Sequence, residues 1–330
     1  MNISYSRVSS YLNCPYQHFL SYVKRLTPKK PVRPLRFGSD FHKLLENRIH
    51  PEVLPEVMEE IGDTYYSMPA HWQSELGDNY IQDLSTIFQD YMEIYADARL
   101  PKVTEQEFNI PLGNCRGETV YFKGIIDELY FTKSKATGKQ VIRVGEHKTF
   151  TRRPDSMFLV MNTQKSLYSK ACEYLYGSLP VSVIWDYIHS QPAEEPVWLE
   201  KSGRFSTAKS QKITPMSYRR ACQRLGITED SVVSEANNYA GNIPNFFFRA
   251  ELEVIPKMTE DIWEGFKYTA KEIALRGDKN VTKNIAPTRC SFCDFKDLCY
   301  TELTGGDVSY ILDKEFETKE SKEENNGTSE

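Results

Sequence analysis

Apolar residues recur along the chain with two different periods, and the changes between them divide it into elements. Val8, Tyr11, Leu12, Phe19 and Val23 fall roughly on one face and predict a helix over residues 6–24. A proline-rich basic stretch over 27–34 predicts a linker, and a further helix begins near Phe37. Tyr80, Leu84, Ile87, Tyr91 and Ile94 follow at steps of three and four, which predicts a long amphipathic helix over 72–98. The pattern then becomes strand-like over 104–112, 118–131 and 140–150, with turns at Gly113-Asn114 and Thr137-Gly138. Helical spacing returns over 156–176, an apolar strand follows over 181–189, a strand over 246–255 and a helix over 259–276. Residues 191–245 are polar and basic, with a helix around 217–225, and read as an insertion. The order is helices, then β-β-β-α-β, without internal repeats. That predicts one mixed α/β domain over 1–308 rather than a doubly wound alternation, followed by a disordered acidic tail over 309–330.

Composition narrows the class. With 330 residues and 40% hydrophobic content the chain can bury a substantial core. No apolar run is long enough to cross a bilayer, and the opening MNISYSRVSS has neither the basic nor the apolar part of a secretory signal. A cytoplasmic protein with no membrane partner is expected. The net charge of −5 argues at first against a polyanion partner. Much of it sits at the end, where residues 313–330 carry seven acids against three lysines. Residues 1–39 and 201–228 contain no acid at all. Either window alone reads equally well as solvated surface. Beside a phosphate-directed site, Lys209, Lys212, Arg219 and Arg220 become candidate contacts to a nucleic-acid backbone. No phosphate loop of the form G-x4-G-K-[ST] occurs, so the chain is no ATP-driven motor by itself.

Chemistry concentrates on a few positions. Asp127 ends the run Lys123-Gly124-Ile125-Ile126, and a carboxylate in so apolar a strand needs a partner or a metal. On the next strand Glu146 and Lys148 share one face while His147 points to the other. Neighbouring strands would bring Asp127 and Glu146 together as oxygen ligands for Mg²⁺ or Mn²⁺, with Lys148 available to a phosphate. Two helical pairs add to this: His42 with Glu46 and Gln164 with Tyr168, each one turn apart. Seven cysteines without a secretion signal do not suggest disulfides. Cys290, Cys293 and Cys299 form C-x2-C-x5-C, and Cys14 stands in N-C-P at the opposite end. Four thiolates of this kind suit an iron–sulfur cluster or a zinc ion; a lone cysteine joined to a distal triplet departs from the paired spacing usual for zinc. Cys115, Cys172 and Cys222 read as ordinary thiols.

Taken together, Gly38-x3-His42, Gly124-x2-Asp127, Glu146-x-Lys148 and Gln164-x3-Tyr168 resemble the successive motifs of the RecB-like branch of PD-(D/E)XK nucleases. The cysteines are similar to those of the 4Fe-4S members of that branch, which include the AddB nuclease domain, the CRISPR-adaptation exonucleases and phage-encoded relatives. The resemblance covers about residues 4–190 and 246–300 and leaves the insertion and the tail unexplained. It implies a restriction-endonuclease-like αβββαβ core with helical N-terminal additions and a C-terminal iron–sulfur staple. It also implies His42, Asp127, Glu146 and the backbone carbonyl of His147 as metal ligands, and Lys148 as the group that orients water or stabilises charge. Gln164 and Tyr168 would position the DNA backbone or the lysine, and Cys14, Cys290, Cys293 and Cys299 would hold a 4Fe-4S cluster. The expected activity is a Mg²⁺- or Mn²⁺-dependent DNA exonuclease, acting on single strands or free ends, with a helicase or recombination partner open. The added length points to recombination, replication or genome processing rather than CRISPR adaptation. Two other readings are a non-catalytic iron–sulfur subunit of a nuclease–helicase complex and a zinc-stabilised RNA-processing factor. The intact Asp127, Glu146 and Lys148 weigh against the first.

Overall fold

The helical segments and the strand-like stretches fold into two helical layers around one sheet. The computed structural model describes residues 1–134, 137–208, 210–228, 231–276 and 281–319. After the short strand β1 (Asn2–Ile3), the helix expected over 6–24 is broken. Cys14 turns extended (φ −156°) ahead of Pro15, as the residue before a proline is driven to do. The result is α1 (Tyr5–Asn13), α2 (Pro15–His18) and a π-helical turn over Phe19–Val23. The linker region holds β2 (Leu26–Pro28), and α3 (Arg33–Glu46) begins ahead of Phe37, with Pro34 in the first turn where its missing N–H is not needed. Helix α4 (Leu54–Tyr66) had no counterpart in the sequence reading. The helix expected over 72–98 is split into α5 (Ala70–Leu76) and α6 (Tyr80–Ile94) by Gly77, which takes φ 101°.

Strands β3 (Val103–Cys115), β4 (Glu118–Lys133) and β5 (Gln140–Phe150) follow as expected. The next helical segment divides into α7 (Ser156–Val160) and α8 (Thr163–Tyr176), because the Asn162 side chain accepts the Gln164 N–H and starts a new helix. Strand β6 (Ser182–His189) leads into the insertion. There, the hairpin β7 (Trp198–Leu199)–β8 (Arg204–Phe205) and the helices α9 (Pro215–Arg224) and α10 (Ser231–Asn237) enclose a small core of Ile213, Tyr218, Cys222 and Ala236. Strand β9 (Phe247–Glu253), α11 (Pro256–Arg276), α12 (Pro287–Cys290) and α13 (Lys296–Leu303) complete the body. The tail differs from expectation: it forms α14 (Ser309–Glu315) and β10 (Phe316–Thr318), and β10 pairs antiparallel with β2. Phe316 supplies the reason, since it is buried against Phe295 in the cluster that also contains Tyr16 and Leu20. Residues 320–330 lie outside the described residues.

The central sheet runs β1-β4-β5-β6-β9, with β3 also on β4. It is mixed: β1–β4 and β5–β6 are parallel, the other pairs antiparallel. One face packs on α1, α8 and α11 through Phe122, Val144, Val183, Trp185 and Phe266. Helices α3–α6 build the second core from Phe37, Phe41, Leu44, Tyr80 and Tyr91, which meets the sheet at Ile188 and Phe247. Helix α3, strands β3–β5, α8 and β6 give the αβββαβ order, consistent with a restriction-endonuclease-like fold. No helix among the described residues is long and apolar enough to cross a membrane.

Gly124 has a packing reason. Phe108 is its cross-strand partner, and a Cβ at residue 124 would stand 2.5 Å from the Phe108 ring. That ring is held by Phe122 and Tyr168 and cannot swing away. Gly124→Ala should therefore cost about 1–3 kcal/mol by overpacking, even though alanine restricts the unfolded chain. Urea unfolding checks this, and adding Phe108→Leu should recover part of the loss.

Candidate active site

The site forms where two strands part. β4 and β5 pair from Lys133↔Gln140 down to Glu128↔Gly145, and pairing stops there. Asp127 and Glu146 thus stand at the mouth of a fork, while β5 continues along β6 through Glu146↔Trp185 and Lys148↔Tyr187. Beyond the last paired residues, the His147 N–H donates to the Asp127 side chain on β4, at 2.9 Å from Oδ2. Gly145 is needed at the last paired position, since a Cβ there would lie 3.0 Å from both Glu128 and Tyr130. Helix α3 brings in His42. Gly38, one turn earlier, keeps the helix close to β5: an added Cβ would sit 3.4 Å from Thr149. His42 Nε2 lies 3.2 Å from the His147 carbonyl oxygen, and Nδ1 lies 3.7 Å from Asp127 Oδ2.

Glu146 is 1% exposed. Its Oε2 accepts from Lys148 Nζ at 3.1 Å and from Gln164 Nε2 at 2.9 Å, while Oε1 is buried without a hydrogen-bond partner. Burial, reinforced by the Asp127 charge, pushes its carboxyl up to about 8, against the pull of Lys148. Burial would lower Lys148, but Glu146 and Asp127 outweigh it and keep the ammonium charged. Its Nζ sits 5.8 Å from the centre of the Trp185 ring. Tyr168 lies one turn beyond Gln164, edge-on to Phe108, its phenol raised by burial and by Glu146.

One acid at the fork had no motif to announce it. The β3–β4 register runs Thr104↔Glu128 and Gln106↔Ile126, so Glu105 lies across from Asp127. It takes φ 50°, a conformation that side chains other than glycine's rarely adopt. His42, Glu105 and Asp127 offer ligand atoms that all lie within 4.8 Å of one another. Burial, then Asp127 and Glu46, push the Glu105 carboxyl up to about 7. Imidazole, converging carboxylates and an unsatisfied buried oxygen are the donor set of a hard divalent cation such as Mg²⁺ or Mn²⁺. The fork fits one.

Behind the fork lies a buried charge network. The His147 ring, edge-on to His42, lies 3.0 Å from Glu128 Oε1 and 3.7 Å from Asp186. Arg48 approaches Glu128 at 2.9 Å and donates to Tyr91 at 2.7 Å, and Arg249 pairs with Asp186. Burial would raise the Glu128 carboxyl, yet His147 and Arg48 hold it at about 2. The same carboxylates keep His147 raised despite its burial.

At the far end, Cys14, Cys290, Cys293 and Cys299 are all free and half-buried, and line one pocket with Tyr16 and Phe295. The chain termini are knitted together there. Asn284 and Arg289 donate to the Asn13 carbonyl at 2.9 and 2.7 Å, and the Asn284 N–H approaches Cys14 Sγ at 3.5 Å. Cys115 is half-buried elsewhere, and Cys172 and Cys222 are buried.

The fold places the basic residues of the second window in different settings. Arg219 pairs with Glu93 and Arg220 with Asp90, both acids of α6, so these arginines dock the insertion on the helical layer. The window is free of acids in sequence only; the fold supplies them from elsewhere. Lys212 is exposed, with its backbone N–H bonded to Glu194. Lys209 lies outside the described residues. In the first window, Arg33 and Arg36 are likewise paired, with Asp83 and Asp40.

Residues 2–300 match the PD-(D/E)XK nuclease superfamily, and the chain belongs to it. This membership implies a metal-dependent nuclease, a hydrolase with DNA as its substrate. No curated protein matches the sequence. A solved structure, that of SSO0001, is similar at 13% identity, covering 90% of this chain and 85% of that one with a TM-score of 0.34. That likeness is too distant to inform the site.

The network gives a stability prediction. Arg48→Leu leaves the buried Glu128 without its guanidinium and should cost about 3–5 kcal/mol in denaturant unfolding. Arg219→Ala, at an exposed pair, should stay within about 1 kcal/mol.

Proposed function

We propose that the chain is a DNA exonuclease of the RecB-like kind, hydrolysing phosphodiester bonds with Mg²⁺ or Mn²⁺ at the β4–β5 fork. The observation that carries this reading is the convergence of His42, Asp127 and the His147 carbonyl beside a buried Glu146 whose Oε1 is unpartnered. His42, Asp127, Glu146 and the His147 carbonyl would hold the cation. When bound, it acidifies water and neutralises charge developing on the phosphate. The protein's part is to keep this set aligned. Asp127 is anchored on the His147 N–H, and Glu146 is held in one rotamer by Lys148 and Gln164. Lys148, kept charged by the two carboxylates, is the group placed to orient the attacking water or to stabilise the anionic phosphorus centre. Tyr168 supports Gln164 from the next turn. The exonuclease assignment rests on the motif order that resembles the RecB-like enzymes.

We assign a 4Fe-4S cluster to Cys14, Cys290, Cys293 and Cys299. All four line one pocket. A lone cysteine joined to a distal triplet departs from the paired spacing usual for zinc and supports the cluster reading. Its role is to staple α1–α2 to α12–α13.

End-labelled single- and double-stranded DNA, compared with closed circles, tests the activity. Linear DNA should be degraded from its ends with Mg²⁺ or Mn²⁺ and circles spared; cleavage of circles at a comparable rate would exclude an exonuclease. Asp127→Asn and Glu146→Gln should abolish hydrolysis in a folded protein, and Lys148→Ala should lower it about 10²-fold or more. Near-wild-type cleavage by both carboxylate variants would overturn the nuclease site.

Anaerobically purified protein should be brown, and replacing any one of the four cysteines should lower cluster content and stability. Cys115→Ser should leave the colour unchanged. Colourless protein with stoichiometric zinc would contradict the cluster.

A further inference from the structure

Glu105 combines three features that its neighbours do not explain. It sits in a β3 position across from Asp127, so two carboxylates face each other over an antiparallel pair, an arrangement that is destabilising by itself. It is half-buried, and among the described residues no hydrogen bond or ion pair answers its carboxylate. It also lies with His42 and Asp127 in a group whose ligand atoms are within 4.8 Å of one another. On the strand that carries the His147 carbonyl, Glu146 Oε1 is buried with no hydrogen-bond partner among the described residues.

We propose that Glu105 is a metal ligand, closing with His42 and Asp127 a divalent-cation position that the four sequence motifs do not mark. The proposal rests on the nuclease reading and adds a ligand to it. An imidazole among carboxylates suits Mn²⁺ at least as well as Mg²⁺. A proton shared between Glu105 and Asp127 would also relieve their repulsion, but it would leave the Glu146 oxygen unsatisfied and give His42 no reason to converge. The left-handed backbone at Glu105 is the conformation in which the side chain lies beside Asp127, and a cation bound by both would stabilise it.

The test is Mn²⁺ titration of the full chain without DNA, reading free Mn²⁺ by electron paramagnetic resonance. Glu105→Gln keeps the size and removes the charge; it should weaken Mn²⁺ binding on the order of tenfold or more. Glu46→Gln makes the same charge change at an exposed neighbour and should alter affinity by no more than about twofold, since exposed charges are screened. Asp127→Asn provides the reference for a lost ligand. Circular dichroism on each variant verifies the fold. If Glu105→Gln binds Mn²⁺ like the wild type while Asp127→Asn does not, the proposal fails and the nuclease reading stands. Equal weakening by Glu46→Gln and Glu105→Gln would mean a diffuse field rather than a ligand, and would also overturn it. A wild-type chain with no saturable Mn²⁺ binding would sink the nuclease reading itself.

Discussion

A carboxylate sealed inside a protein must be compensated, and Glu146 is where this constraint organises the structure. One oxygen is answered by Lys148 and Gln164, the other by no hydrogen bond among the described residues. Each answer requires a particular element. Lys148 must follow two residues later on the same strand, and Gln164 must reach back from a helix packed on that face of the sheet. The Asn162 cap starts that helix two residues before Gln164. The remaining oxygen is buried beside a fork that exists because β4 and β5 stop pairing after Glu128↔Gly145.

His147 ties the fork to the interior. Its backbone faces the site, donating to Asp127 and offering its carbonyl toward His42, while its ring enters the buried network of Glu128, Asp186, Arg48 and Arg249. Strand geometry forces this division, since residues 146 and 148 face one way and 147 the other. The network fixes the strand from behind, so the backbone atoms at the fork are held by charges that never meet the substrate. Buried ion pairs add little net stability over apolar packing, but losing one partner costs several kcal/mol, and this gives the strand a defined position.

The elements whose cause is local were readable before the fold. The strand stretches, the helix carrying Gln164 and Tyr168 and the four spaced motifs all leave periodic or short-range marks. Breaks were harder: Cys14–Pro15, Gly77 and Asn162 each divide a segment whose apolar spacing continues across them. Helix α4 was missed, and the order of residues 309–319 was hidden because it rests on Phe316, Ile311 and Leu312 packing on a distant cluster and on β10 pairing with β2. At the site, His42 comes beside Asp127, and Lys148 beside Glu146. Glu105 was invisible, since what distinguishes it is the residue across the sheet, and only the β3–β4 register supplies that. The partners of Arg219 and Arg220 were equally invisible, because the acids they pair with lie on a helix more than a hundred residues earlier in the chain.

The central claim is that the β4–β5 fork is built around a divalent cation. Anomalous scattering from crystals of the full chain soaked in Mn²⁺ tests it most directly. The account predicts an anomalous peak bounded by the carboxylates of Asp127 and Glu146 and the His147 carbonyl, separate from any iron signal at the four cysteines. Ordered density at the fork with no Mn²⁺ peak there, at concentrations that saturate binding in solution, would contradict it.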